Sequence, residues 1–201
     1  MSFGNINTHN LLVVLLIFYS VHSFSDQSPK SEVDFRKLPK YCSVKSLKGY
    51  GDKNAYRMWE ARLPGIFPHI HHYCSAMHSY QHGANIFPSN KREQQEKKYY
   101  FERVIGNIDY MEGHAASKNH PIFAEMYNLK GNAMVELGDN VGAIQYYEKA
   151  LSVNIKYTPA YKSLASVYVK LGQTDMARQT LDKGLEQKPN SGALKRARKK
   201  L

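Results

Sequence analysis

The chain has 201 residues, of which 42% are hydrophobic, and it carries a formal net charge of +11. This length and composition suffice for one domain with its own core plus an appendage. Five positive charges fall in the last seven residues and the others form no dense basic block, so the pattern argues against a groove that follows nucleic-acid phosphates.

The first 23 residues contain no Lys, Arg, Asp or Glu and include the unbroken apolar run Leu11–Tyr19. This run is shorter than the about 20 apolar residues that a spanning helix needs, and it has the length of a signal-peptide core. Val21 and Ser23 are suitable residues at the −3 and −1 positions of a cut before Phe24. We therefore expect residues 1–23 to be a signal peptide; an uncleaved membrane anchor and a buried core helix are the alternatives.

Cys42 and Cys74 both lie after the expected cleavage point. An even pair of cysteines in an exported protein predicts a disulfide, because oxidising compartments let such bonds persist. We favour this bond over two buried free thiols.

Residues 24–52 are polar with little periodicity and are predicted to be a flexible N-terminal segment, in which Tyr41–Val44 is short enough to be extended. Apolar residues at three- and four-residue steps then predict a helical module over residues 53–123 that packs on the C-terminal part of the chain. Asp52 is the expected N-cap of its first helix. The expected helices cover residues 53–63, 68–84 and 91–115.

The most specific feature is a repeat, since residues 124–157 and 158–191 share a pattern at an offset of 34 residues. This period is typical of helix–turn–helix units that stack on one another. Small residues at the eighth and twentieth positions let the paired helices approach closely, and Gly at the turn accepts a positive φ. The matching positions are Tyr127, Gly131, Gly138, Ala143, Tyr147 and Ala150 in the first repeat, and Tyr161, Ala165, Gly172, Ala177, Leu181 and Gly184 in the second.

Two repeats are fewer than the three or so that such a stack needs. The upstream helices over residues 68–84 and 91–115 are therefore expected to act as a degenerate first pair. Residues 192–201 are expected to be a basic capping helix with a polar outer face. The apolar residues expected to face the stack are Ala193, Leu194, Ala197 and Leu201. The predicted fold class is therefore all-α: two clear repeats, a degenerate upstream helix pair and a C-terminal capping helix.

The histidines form a competing candidate site. On a helix His71, Cys74, His78 and His82 project near one another, and His78 and His82 have the spacing of a two-histidine metal site. A disulfide-bonded Cys74 is no thiolate ligand, so packing and surface roles are favoured over a metal. Neither a nucleotide-binding glycine loop, a His-Glu-x-x-His motif nor a Gly-x-Ser-x-Gly motif occurs. We name no catalytic residue and expect neither enzyme activity nor a cofactor.

Residues 124–191 resemble tetratricopeptide (TPR) repeats at the positions given above, with departures at Lys130, where Leu is usual, and Ile155, where Pro is usual. The upstream part resembles a bacterial group of exported TPR proteins. The residues that carry this resemblance are Tyr41-Cys42, Trp59 and His71-His72-Tyr73-Cys74. It implies the fold and a periplasmic or cell-envelope location, without an assigned activity.

TPR units of this kind bind extended or helical peptides through the first helix of each repeat, so the resemblance implies a protein or peptide partner on the concave face. The implied binding positions are Glu125, Asn128, Asn132, Val135 and Glu136 in the first repeat, and Lys162, Ser166, Val169 and Lys170 in the second.

The predicted function is an exported scaffold or adaptor for protein–protein interaction in the cell envelope. The alternative is a metal-binding or redox-related envelope protein that uses the histidines and Cys74. Nucleic acid is not an expected partner. Weak contact of the basic C-terminus with an anionic membrane surface is the less favoured interpretation of that charge, and the sequence indicates no oligomeric state.

Overall fold

The computed structural model describes residues 28–47 and 51–201, so the expected signal segment, residues 1–23, lies outside the described residues. The described part contains ten α-helices and one 3₁₀ turn. None of these helices is long and apolar enough to cross a bilayer. The helices are α1 (Glu32–Phe35), α2 (Lys40–Ser46), α3 (Lys53–Arg62), α4 (Ile70–Ala84), α5 (Lys91–His114), α6 (Ile122–Glu136), α7 (Asn140–Val153), α8 (Thr158–Lys170), α9 (Thr174–Gln187) and α10 (Gly192–Lys199), with the 3₁₀ turn Phe67–His69 before α4.

Part of the segment that we predicted to be flexible is helical. A capping box of Ser31 and Asp34 starts α1, and Phe35 at its end is buried. The expectation that Tyr41–Val44 is extended is wrong, because these residues lie within α2. The helical conformation of α2 places its buried apolar side chains, including the fully buried Cys42, on the side that packs against α4.

Cys42 of α2 and Cys74 of α4 lie at bonding distance, with Cα atoms 5.7 Å apart. This Cα separation is usual for a disulfide. Both residues are fully buried, so a bond here joins α2 to α4 inside the core. Its formation in the cell stays a prediction.

The predicted helical module is present with bounds within two residues of those expected. Asp52 caps α3, its carboxylate accepting a hydrogen bond from the Ala55 amide at 2.7 Å. No residue of α3 is buried, and the helix attaches through aromatic contacts such as that between Trp59 and Tyr41, whose ring centroids are 5.4 Å apart. In contrast, α4 and α5 pack against each other and supply much of the core.

Helices α6 to α9 form the two predicted repeats. The turn glycines Gly138 and Gly172 have φ of 88° and 75°, the left-handed conformation that glycine adopts without strain. Gly131 lies directly against Tyr147, since a Cβ on Gly131 would be 2.5 Å from the ring. The small residue therefore permits the close approach of α6 and α7 that the repeat pattern predicted.

The three helix pairs stack in chain order, and α4, α6 and α8 also contact one another in succession. The predicted all-α stack of two repeats on a degenerate first helix pair is thus confirmed. The helix α10 packs on α8 and α9 through the fully buried Leu194, as expected of a cap. Ala193 is exposed, contrary to expectation, because successive helix residues are about 100° apart and Leu194 takes the inward position.

Candidate functional site

The first helices of the pairs line a groove, which we call the α6–α8 groove. Residues of α6 and α8 at three- and four-residue steps share one face of each helix and point into it. The groove has a volume of about 400 Å³. Its lining residues are Tyr80, Asn128, Asn132, Val135, Glu136, Tyr147, Pro159, Lys162, Ser163, Ser166, Val167 and Lys170.

Seven of the nine predicted binding positions lie in this groove. Those from α6 form one wall with the floor, and those from α8 form the other wall. The members that the structure brings together are Asn128, Asn132, Val135, Glu136, Lys162, Ser166 and Lys170.

Asn128 and Asn132 lie one helical turn apart on α6, and both line the groove. Asn132 accepts a hydrogen bond from the Tyr147 hydroxyl at 2.9 Å, and burial raises the pKa of that phenol, which keeps it a donor. Asn128 is only 8% exposed, and its Oδ1 has no hydrogen-bond partner among the described residues. A buried acceptor left unpaired costs roughly 1–3 kcal/mol. Because this oxygen itself has less than 1 Å² of accessible surface, a ligand in the groove reaches it only if the Asn128 amide rotates.

The charges of the two walls differ. Lys162 and Lys170 on the α8 wall are exposed, and no ion pair between described residues engages either of them. On the α6 wall the carboxylate of Glu136 lies 3.2 Å from Nζ of Lys97 in α5. Because the acid is already neutralised and the lysines are not, the groove attracts negative charge.

Two predicted positions lie outside the groove. Glu125 is in the first turn of α6, next to α4, where the Tyr73 hydroxyl donates a hydrogen bond to it at 3.5 Å. Burial raises the pKa of the Glu125 carboxyl, and the bond from Tyr73 opposes that shift. Val169 is turned away from the groove and lines a second site beside α10.

The sequence interpretation missed several lining residues. Tyr80 comes from α4, on which the sequence pattern indicates only the histidines and Cys74 as candidate site residues. Its position seven residues after Tyr73 puts both on one side of α4, and this spacing was the available signal. Pro159 lies three residues before Lys162 and four before Ser163, so these residues belong to the same face of α8.

The unusual Lys130 connects the first repeat to the upstream pair. It is 3% exposed, forms an ion pair with Asp109 of α5, and donates to the Tyr146 hydroxyl at 2.6 Å. Burial lowers the pKa of Lys130, but the hydrogen bonds to Asp109 and Tyr146 outweigh it, so the net pKa is raised. The departure from the usual Leu thus has a structural cause, because the lysine is paired on a helix outside the repeat.

The three histidines of the metal hypothesis do not converge. The ring centroids of His78 and His82 are 4.4 Å apart, whereas His71 packs on the neighbouring His72 about two turns earlier. Within residues 28–47 and 51–201 no group of three His, Cys, Asp or Glu side chains is placed to hold a metal ion. Burial lowers the pKa of His78, and His82 lowers it further, while Asp34 acts in the opposite direction.

Comparison with known proteins agrees with this architecture. Residues 134–201 match the tetratricopeptide repeat family. The match covers 68 of the 201 residues, from the end of α6 through the second repeat and the capping helix. The sequence match to tetratricopeptide repeats therefore covers α7, α8, α9 and the capping helix α10, but only the last residues of α6.

Two curated relatives and one solved structure are similar to parts of the chain. The TPR repeat-containing protein MJ1428 of Methanocaldococcus jannaschii is 30% identical over 102 residues, or 47% of this chain and 18% of that protein. The uncharacterized protein ycf37 of Pyropia yezoensis is 31% identical over 98 residues, or 44% of this chain and 52% of that protein. The chain thus spans about a fifth of the first relative's length and about half of the second's. The first TPR of Spaghetti (RPAP3), solved with an HSP90 peptide, aligns at a TM-score of 0.42 and 19% identity over 62% of this chain and 90% of that one.

Proposed function

We propose that the protein is an exported TPR scaffold or adaptor that holds a protein or peptide partner in the α6–α8 groove. The observation that carries this proposal is the groove of about 400 Å³ itself, whose α8 wall presents the exposed Lys162 and Lys170 without an ion pair to another described residue.

The remaining groove residues suit a polypeptide as well. Asn132 and Ser166 offer both donors and acceptors, as a peptide backbone requires. Lys162 and Lys170 add two positive charges along one wall, neither paired with another described residue, and this selects a segment that carries carboxylates. These groups serve recognition, and among the described lining residues none forms a nucleophile with an adjacent base, which favours a scaffold over an enzyme.

Export is the second part of the proposal. The apolar run Leu11–Tyr19 supports it, and so do two cysteines whose Cα atoms lie 5.7 Å apart in the core. Mass spectrometry of the protein recovered from the periplasm or envelope of its source cell tests both features. We expect a mature N-terminus at Phe24 and no alkylated thiols without reductant. Recovery of the full-length chain with two alkylated cysteines from the cytoplasm contradicts export.

Partner binding is tested by reversing charge on one wall of the groove. The double variant Lys162→Glu and Lys170→Glu should lose the partner that co-purifies with the wild-type protein from envelope fractions, because both lysines are exposed and unpaired among the described residues. The binding that depends on these lysines should weaken as salt is raised, since exposed charges are screened within about 10 Å at 0.1 M salt.

The matched control is the double variant His78→Ala and His82→Ala, which lies outside the groove. It should retain the partner. If the histidine variant lost the partner and the lysine variant kept it, with both variants folded, the groove would not be the binding site and the histidine-based alternative would be favoured.

A further inference from the structure

A second, smaller site opens where the capping helix meets the second repeat. It has a volume of about 300 Å³ and lies between α8 and α10, so we call it the α8–α10 site. It shares Lys162 and Ser166 with the α6–α8 groove and continues it toward the end of the stack. The lining residues are Lys162, Ala165, Ser166, Val169, Leu181, Ala197, Lys200 and Leu201.

The floor of this site is apolar, and its rim is basic. Five of its eight lining residues carry purely aliphatic side chains. Val169 is 44% exposed there, although it lies on a helix that otherwise buries its large apolar residues. Lys162 and Lys200 stand at the rim, and neither takes part in an ion pair with another described residue. An aliphatic floor under unpaired lysines is complementary to an apolar side chain with carboxylates beside it.

We propose that the α8–α10 site takes an aliphatic side chain of the partner, from an acidic stretch that continues out of the α6–α8 groove. This proposal rests on the proposed function, since it assigns a second anchor to the same partner. The shared Lys162 and Ser166 make the two sites one continuous path, so a single extended segment reaches both. Recognition then combines three chemical elements: backbone hydrogen bonds to Asn132 and Ser166, an aliphatic residue on Val169, and carboxylates toward Lys162 and Lys200.

The capping helix acquires a recognition role in this arrangement. Leu194 already seals the stack beneath α10, being fully buried. Ala197 and Leu201 are only partly buried, and they complete the wall of the site opposite Val169. The specificity of the partner is therefore set in part by residues outside the two repeats.

Selection from a random dodecapeptide library on the full chain tests the proposal. Selected peptides should share an aliphatic residue next to Asp or Glu, and fluorescence anisotropy then measures their affinity for variants. Val169→Asp puts a carboxylate on the apolar floor and should weaken binding about tenfold or more, because burial of an aliphatic side chain is lost. Lys200→Gln should weaken binding less and should reduce its dependence on salt.

Val141→Asp is the matched control, because Val141 is 68% exposed on α7 and lines neither site. It should leave the affinity unchanged, and thermal unfolding of each variant excludes a folding defect. Peptides that lose affinity with Lys170→Glu, which lines the groove alone, but not with Val169→Asp would overturn the second anchor while leaving the groove as the binding site. Selected peptides insensitive to both changes, or no selected peptide at all, would overturn both proposals.

Discussion

Replacing Gly131 by Ala probes the closest helix contact in the first repeat. A Cβ at this position would lie 2.5, 2.8 and 3.0 Å from three atoms of the Tyr147 ring, whereas carbon atoms in contact are normally about 3.5–4.0 Å apart. The ring has little room to retreat, because Tyr147 is 1% exposed and its hydroxyl is bonded to Asn132. Overpacking of this kind costs about 1–3 kcal/mol, and the strong clash puts Gly131→Ala toward the upper end.

The helix propensity of Ala offsets part of this cost, by about 1 kcal/mol. We therefore expect Gly131→Ala to lower the free energy of unfolding by roughly 1–2 kcal/mol, which is a fall in Tm of about 2–8 °C for a chain of this size. Calorimetry or thermal circular dichroism measures the shift.

Gly106→Ala is the control for this substitution. Gly106 lies within α5, and a Cβ there meets no atom within 4 Å. Ala should therefore raise stability by about 0.5–1 kcal/mol through helix propensity alone. If Gly131→Ala stabilised the protein as Gly106→Ala does, the close packing of α6 against α7 would be refuted.

Three further changes test the core and its titrating groups. Asp109→Ala should lower the free energy of unfolding in urea by roughly 3 kcal/mol, because it leaves the buried Lys130 ammonium without its carboxylate. Lys130→Met should change it by no more than about 1 kcal/mol, because the half-exposed Asp109 regains water. Equal effects of the two substitutions would contradict the pairing. Once alkylation has established the bond between Cys42 and Cys74, its reduction should lower the free energy of unfolding by about 4 kcal/mol, the value that the chain-entropy model gives for a sequence separation of 32. A Tm insensitive to reductant would contradict this. The pKa of His78 is lowered in the folded state, so the unfolded state binds more protons as the pH falls through the unfolded-state pKa of about 6.5. The free energy of unfolding should therefore decrease from about pH 7.5 to 5.5. His78→Gln should flatten this slope, and an unchanged slope would exclude His78 as its source.

The repeats were predictable because their determinants are local. The turn glycines Gly138 and Gly172 adopt positive φ, and Gly131 contacts Tyr147, only 16 positions away. The residues that determine how the two helices of a pair turn and pack therefore lie within one 34-residue window. The same locality explains why most of the groove positions were found. Once the first helix of each pair is assigned, the helical period determines its inward face.

The remainder depends on contacts between distant segments. The helical state of α2 reflects packing on α4, about 30 residues later, which no local period around Cys42 reveals. Lys130 departs from the repeat pattern in sequence, and its role is visible only in the fold, where the packing of α5 on α6 places Asp109 beside it. Tyr80 enters the groove only because α4 acts as the first helix of a third pair. Val169 was assigned to the groove because the site beside α10 exists only when the cap is docked.

Site-specific photo-crosslinking in the source cell tests most directly whether a partner occupies the α6–α8 groove. A photoreactive benzoylphenylalanine is placed at Ser166, which lines the groove, or at Val141, which is exposed on α7 outside it. We expect a discrete crosslinked protein from Ser166 that mass spectrometry identifies, and no such adduct from Val141. The same adduct from Val141, with none from Ser166, would show that the partner binds elsewhere on the molecule.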